Sequence, residues 1–112
     1  MRSCATQALC LAAASLAVMS AAALAQVDLP TVGQKDRAFS RESLEIRAGG
    51  SVRFQNDDSV AHNVVVRDPG GATRTSPLQR PGDKTDIAFA AAGEYDVRCA
   101  LHPRMRMTVR AQ

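Results

Sequence analysis

From Phe39 onward apolar and polar residues alternate with a period of two, interrupted at short intervals by glycine, proline, asparagine and aspartate. Successive side chains of a strand point to opposite faces of a sheet, so this alternation predicts strands buried on one side. Leu44 and Ile46 fall on one face and Glu45 and Arg47 on the other. After the turn at Gly49-Gly50, Val52 and Phe54 alternate with Arg53 and Gln55. Asn56-Asp57-Asp58-Ser59 is a run of turn formers and predicts a break. The next strand is expected from about Ala61 to Arg67, with His62, Val64 and Val66 on one face, ending at Asp68-Pro69-Gly70-Gly71. Thr85, Ile87 and Phe89 alternate in turn, then Tyr95, Val97 and Cys99, and finally Met105, Met107 and Val109. Two stretches lack the pattern. Residues 26–38, with Pro30 and Gly33, are expected to be an arm that becomes an edge strand near Phe39. Residues 72–82, with Pro77 and Pro81, are expected to be a long connection with few core positions. Several short strands joined by turns predict an all-β fold, an antiparallel β-sandwich.

The first residues follow a different pattern. One charge at Arg2 precedes an unbroken uncharged run through Leu9, Leu11, Leu16 and Val18 that ends in Ala23-Leu24-Ala25. That small-x-small ending predicts an export signal over residues 1–25, cleaved near Ala25, and a periplasmic mature domain over residues 26–112 without a membrane span. Cys4 and Cys10 lie too early to be lipidated at the cleavage point. Removing the leader leaves 87 residues with 13 basic and 11 acidic side chains, a size at which one core is marginal and a metal or disulfide often adds stability. Cys99 has no cysteine partner in that domain, so a disulfide within the monomer is excluded, and an exported protein with one unpaired thiol invites ligation.

Cys99-Ala100-Leu101-His102-Pro103-Arg104-Met105 places a thiolate, an imidazole and a thioether at intervals of three. A lone cysteine is ordinarily a small buried hydrophobe and a lone methionine a core filler. Here both histidines of the chain and the one cysteine beyond the leader fall in the candidate set His62, Cys99, His102. Two imidazoles, a thiolate and a weak axial thioether are the donors of blue-copper electron-transfer sites. Strand parity leaves Met105 and Met107 both open as the thioether.

These residues resemble the small cupredoxins of the plastocyanin/amicyanin-like group. The resemblance runs through Gln34-Lys35-Asp36, Phe39, Val52, Phe54, Asn56-Asp57 and His62-Asn63-Val64. It continues in Pro81-Gly82, Phe89, Gly93-Glu94-Tyr95 and the loop from Cys99 to Met105. It implies a Greek-key sandwich with one Cu(I)/Cu(II) ion near one end, held by His62, Cys99, His102 and Met105. The His-Pro-x-Met spacing is the amicyanin-like one, which leaves Met107 to the core. It also implies that Asn63 ties the two ligand loops together and offers its N–H to the cysteine sulfur. Leu101 stands where a proline is common and keeps an N–H that could form a second bond to that sulfur. Arg104 stands where relatives often carry an aromatic residue.

The function expected is that of a monomeric one-electron carrier, not an enzyme, exchanging electrons with a redox protein donor and acceptor that dock at the copper end. Leu101 and Pro103 would offer apolar contact there, with Arg104, Arg106 and Arg80 as candidate charges. No nucleophile–base pair or glycine-rich phosphate loop appears, and no nucleic-acid partner is expected. The alternative is a copper carrier or chaperone, although the exposed Met-, His- or Cys-rich tracts that release copper easily are missing. A metal-free interaction sandwich is a third possibility that the full donor set disfavours.

Overall fold

A computed structural model of the chain describes residues 29–112; the predicted leader lies outside the described residues. Nine strands are found among them: β1 (Thr31–Lys35), β2 (Ala38–Phe39), β3 (Ser43–Ile46), β4 (Ser51–Asn56), β5 (Val65–Arg67), β6 (Thr73–Thr75), β7 (Lys84–Ala88), β8 (Gly93–Arg98) and β9 (Arg106–Ala111). They form two sheets, ordered β2-β1-β4-β7 and β3-β9-β8-β5-β6. No helix of the described residues is long and apolar enough to cross a membrane.

The expected all-β sandwich is present, but its sheets are mixed. β1 runs parallel to β4, with Val32 opposite Phe54, and β3 runs parallel to β9, with Leu44 opposite Val109. The cause lies in the crossings: β3 belongs to one sheet while β1, β2 and β4 belong to the other. A chain that leaves its sheet and returns can re-enter in the same direction, which a tight hairpin forbids.

The inward positions are those that the alternation marks. Val52, Phe54, Val64, Val66, Phe89, Tyr95, Val97, Met107 and Val109 fill the interior, with Leu44, Ile46, Ile87 and Phe39 packed against its margins. Phe89 meets Tyr95 edge-on with ring centroids 4.8 Å apart, and the Tyr95 hydroxyl donates to the Ala91 carbonyl at 2.7 Å. The phenol thereby keeps a partner while its ring is buried, and it fastens the β7–β8 turn.

Three expectations are corrected. The strand expected from Ala61 begins only at Val65, with His62 before it in an isolated bridge to Gln79. Residues 31–35 are not an arm but the inner strand β1, with Val32 and Gln34 buried. Val32 as the one apolar side chain, followed by Gly33 and a glutamine, is too little alternation to reveal it. The segment after Gly71 is also more than a connection: β6 pairs with β5, and Gln79 is buried. Gln79 exchanges backbone hydrogen bonds with His62 at 3.0 and 2.7 Å.

Close packing at the far turn depends on Gly93, whose φ is 137°. A Cβ there would stand 2.6 and 2.9 Å from Cγ and Cβ of Pro69. Gly93→Ala should therefore cost at least about 2 kcal/mol, from backbone strain and overpacking together. In urea this appears as a lower midpoint with an unchanged slope. A variant as stable as the parent would contradict the contact.

Candidate metal centre

One end of the sandwich gathers four connections. They are the β1–β2 turn at Asp36 and Arg37, the β4–β5 link carrying Asp58 and His62, the β6–β7 link carrying Gln79, and the β8–β9 loop carrying Cys99, His102 and Met105. Hydrogen bonds fix each to the next. The Asp57 N–H donates to the Gln34 carbonyl at 2.9 Å, and the Arg37 N–H donates to Asp58 Oδ2 at 2.9 Å. Asn56, buried at the end of β4, donates its side-chain amide to the carbonyls of Val60 and Gln79 at 2.9 and 3.1 Å. Ala100 donates its N–H to Asn63 Oδ1 at 2.8 Å, so Asn63 ties the two donor-bearing loops as expected.

The β8–β9 loop is short because its strands pair to the last residue, Arg98 opposite Arg106. Within it the Met105 N–H donates to the His102 carbonyl at 2.9 Å and the Cys99 N–H to the Met105 carbonyl at 3.3 Å. These bonds fold the loop so that Cys99 and Met105 face the interior, each 1% exposed, while His102 sits at the rim. Met107 belongs to the packed core of the sandwich. Met105 is buried outside that cluster, in the loop that carries the other donors.

The sequence-predicted donors converge. Cys99 Sγ lies 3.7 Å from His62 Nδ1 and 3.8 Å from His102 Nδ1, and the two nitrogens are 3.1 Å apart. A point equidistant from the three atoms lies about 2.1 Å from each, close to the bonds of about 2.0–2.1 Å that a metal makes to imidazole and about 2.3 Å to thiolate. Donor types and spacing therefore fit a single soft-to-intermediate transition metal. The sulfur's hydrogen-bond neighbours among the described residues are these two imidazoles; the expected bonds from the N–H groups of Asn63 and Leu101 are not among those formed.

His62 is fully buried, and its outer nitrogen is held: Nε2 lies 2.9 Å from Asp58 Oδ2. An ionised carboxylate only accepts, so Nε2 carries the hydrogen, and in the neutral ring this tautomer leaves the Nδ1 lone pair toward Cys99 and His102. The Arg37 N–H and then the His62 ring pull the Asp58 carboxyl down to about 2, so it stays ionised beside the ring. Desolvation, and after it the charges of His62 and Arg37, holds the His102 pKa below the ordinary imidazole value. The neutral form of the His102 ring, whose Nδ1 lies 3.8 Å from Cys99 Sγ, is thereby favoured.

Asp58, Gln79 and Arg37 are the residues that the sequence pattern did not single out. Asp58 reads as one turn former among four, and Gln79 and Arg37 lie in stretches without alternation. Nothing in their local sequence marks them. Of the expected rim residues, Arg104 lies beside Leu101, His102 and Pro103, and the same groove is completed by Asp36 and Arg37. Arg106 instead faces an adjoining groove with Glu42 and Asp96, which Arg104 also lines.

Comparison with known proteins follows the same line. The family model of copper binding proteins, plastocyanin/azurin family, matches residues 26–112. Amicyanin-alpha of Methylorubrum extorquens is 28% identical over 113 residues, a match that covers 95% of each chain. Chloroplastic plastocyanin of Pisum sativum is 33% identical over 101 residues, covering 81% of this chain and 60% of that one. Among solved structures, a reduced Cu(I) amicyanin variant aligns with a TM-score of 0.70 at 25% identity, over 76% of this chain and 83% of that one. A purple cupredoxin from Nitrosopumilus maritimus aligns with a TM-score of 0.66 at 28% identity, over 74% and 99%. Sequence, fold and donor set agree, and the chain belongs to the plastocyanin/azurin family of copper-binding proteins.

Proposed function

We propose that the protein is a periplasmic one-electron carrier whose copper is held by His62 Nδ1, Cys99 Sγ, His102 Nδ1 and the Met105 thioether. The convergence of the first three donor atoms, with Met105 buried in the same loop, carries this assignment. Copper in such a donor set supplies a one-electron couple whose potential the weak axial ligand adjusts.

The chain's own residues do the rest. Asp58 fixes the tautomer and orientation of His62, and Asn63 locks the His62 link to the Cys99 loop. Donors held by a hydrogen-bonded frame need little rearrangement when an electron arrives or leaves. Burial of Cys99, His62 and Met105 keeps water and thiol chemistry away, and it argues against a chaperone that must surrender its metal readily. His102 alone of the set reaches the rim, beside Leu101, which is 49% exposed, and Pro103. Electron exchange with a larger redox protein is therefore assigned to that edge. No donor position needs to stay open for a substrate, so a carrier role is favoured over catalysis.

Copper(II)-loaded protein should be intensely blue through sulfur-to-copper charge transfer. Cys99→Ser should abolish the band. Met105→Leu should keep it and shift the reduction potential, while Met107→Leu should act chiefly on stability; the reverse result for the two methionines would move the axial assignment to Met107. In metal-free protein near neutral pH, long-range proton–nitrogen NMR should find His62 in the Nε2–H tautomer, and Asp58→Ala should give a mixture. An Nδ1–H tautomer in the parent protein would contradict the role given to Asp58.

A further inference from the structure

The hairpin that joins β1 to β2 has two loop residues, and both adopt positive φ although neither is glycine: Asp36 at 53° and Arg37 at 55°. A two-residue turn with both residues left-handed matches the twist of its strands, which is why Asn-Gly and Asp-Gly dominate such turns. Aspartate tolerates that conformation; arginine, with its Cβ against the following carbonyl, is strained there. Glycine at position 37 would satisfy the same geometry without strain. The backbone needs no arginine for its hydrogen bond either, since it is the N–H of residue 37 that donates to Asp58 Oδ2. A strained residue that the fold does not require points to a use for its side chain.

The surroundings indicate that use. Arg37 is exposed, and with Arg104 it lines one groove of about 410 Å3 together with Asp36, Leu101, His102 and Pro103. Neither arginine belongs to a salt bridge among the described residues. Asp58 is engaged by His62 and the Arg37 N–H, and Asp36 is the one acidic residue lining this groove; Glu42 and Asp96 share the adjoining groove with Arg104, where Asp96 is paired with Arg98.

We propose that Arg37 and Arg104 form a cationic seat around the apolar edge of His102, fitted to a redox partner that presents carboxylates around its electron-transfer site. The proposal rests on the carrier function above and specifies its partner. The apolar contact of Leu101 and Pro103 gives close approach to His102, and the two guanidiniums orient an acidic surface over it. Complementary charge of this kind acts mainly on the association rate and weakens as salt is added.

Two small oxidants of opposite charge test this. The reduced protein gives one electron either to hexacyanoferrate(III), a trianion whose iron(III) becomes iron(II), or to tris(phenanthroline)cobalt(III), a trication whose cobalt(III) becomes cobalt(II). Arg37→Gly is compared with Arg47→Ala, a removal of the same charge at the start of the β3–β4 turn, remote from the groove. At low ionic strength Arg37→Gly should slow the anion by on the order of threefold, a fraction of the 10–10³ range of full electrostatic steering, and should not slow the cation. Arg104→Glu should slow the anion further, and Arg47→Ala should leave both rates near the parent values. The denaturant midpoint of metal-free Arg37→Gly should not fall below that of the parent, because the strained position is relieved. Equal effects of Arg37→Gly and Arg47→Ala on the anion would overturn the seat, as would an anion rate untouched by Arg37→Gly, or a clear loss of metal-free stability in that variant. Failure of the parent protein to bind copper with a blue band, or to exchange electrons with either reagent, would overturn the carrier function instead.

Discussion

Burying an imidazole completely, as the sandwich does with His62, costs free energy unless both ring nitrogens find partners. The ring is enclosed at the junction of the β4–β5 and β6–β7 links, its backbone paired on both sides with Gln79. Asp58 takes the outer nitrogen, so the inner one must face the thiolate of Cys99 and the second imidazole. In the proposed site the metal is the partner that completes it. Asn56, Asn63, Gln79 and the Arg37 N–H then appear as one scaffold of hydrogen bonds built to hold that arrangement. A site assembled on bonds of this kind stays close to one geometry, which is what an electron carrier requires of its ligands.

Asp58 joins the buried side of the centre to its surface. The same oxygen, Oδ2, lies 2.9 Å from the His62 ring and accepts from the backbone of the left-handed turn that carries Arg37. The turn is therefore anchored to the ligand frame, and the charge it presents is placed relative to His102 rather than left to a loose loop. Strain at Asp36 and Arg37 is tolerated because the strands on either side and the Asp58 carboxylate over-determine the backbone.

Most of the sheet was legible in the sequence because a half-buried strand writes its burial directly as alternation. Val52 and Phe54, Val64 and Val66, Tyr95 and Val97, and Met107 and Val109 all point inward as their parity predicts. β1 was not legible, since its inward residues are Val32 and a glutamine, and a buried polar residue looks exposed on paper. The parallel pairings of β1 with β4 and β3 with β9 depend on which sheet each strand joins, a choice that local alternation does not encode. The candidate donors stood out for a chemical reason: beyond the leader, imidazole and sulfur side chains are few and fall in the β4–β5 link and in and just after the β8–β9 loop. Their supporting residues did not. Asp58, Gln79 and Arg37 act through contacts made only after the chain folds, and their types are common in turns.

The central claim is that a thiolate and two imidazoles, contributed by Cys99, His62 and His102, share one copper ion. Copper-edge X-ray absorption of the loaded protein tests it most directly. The expected result is one copper per chain, surrounded by two imidazole nitrogens and one short sulfur bond. Copper coordinated by nitrogen and oxygen alone, with no short sulfur bond, would contradict the account.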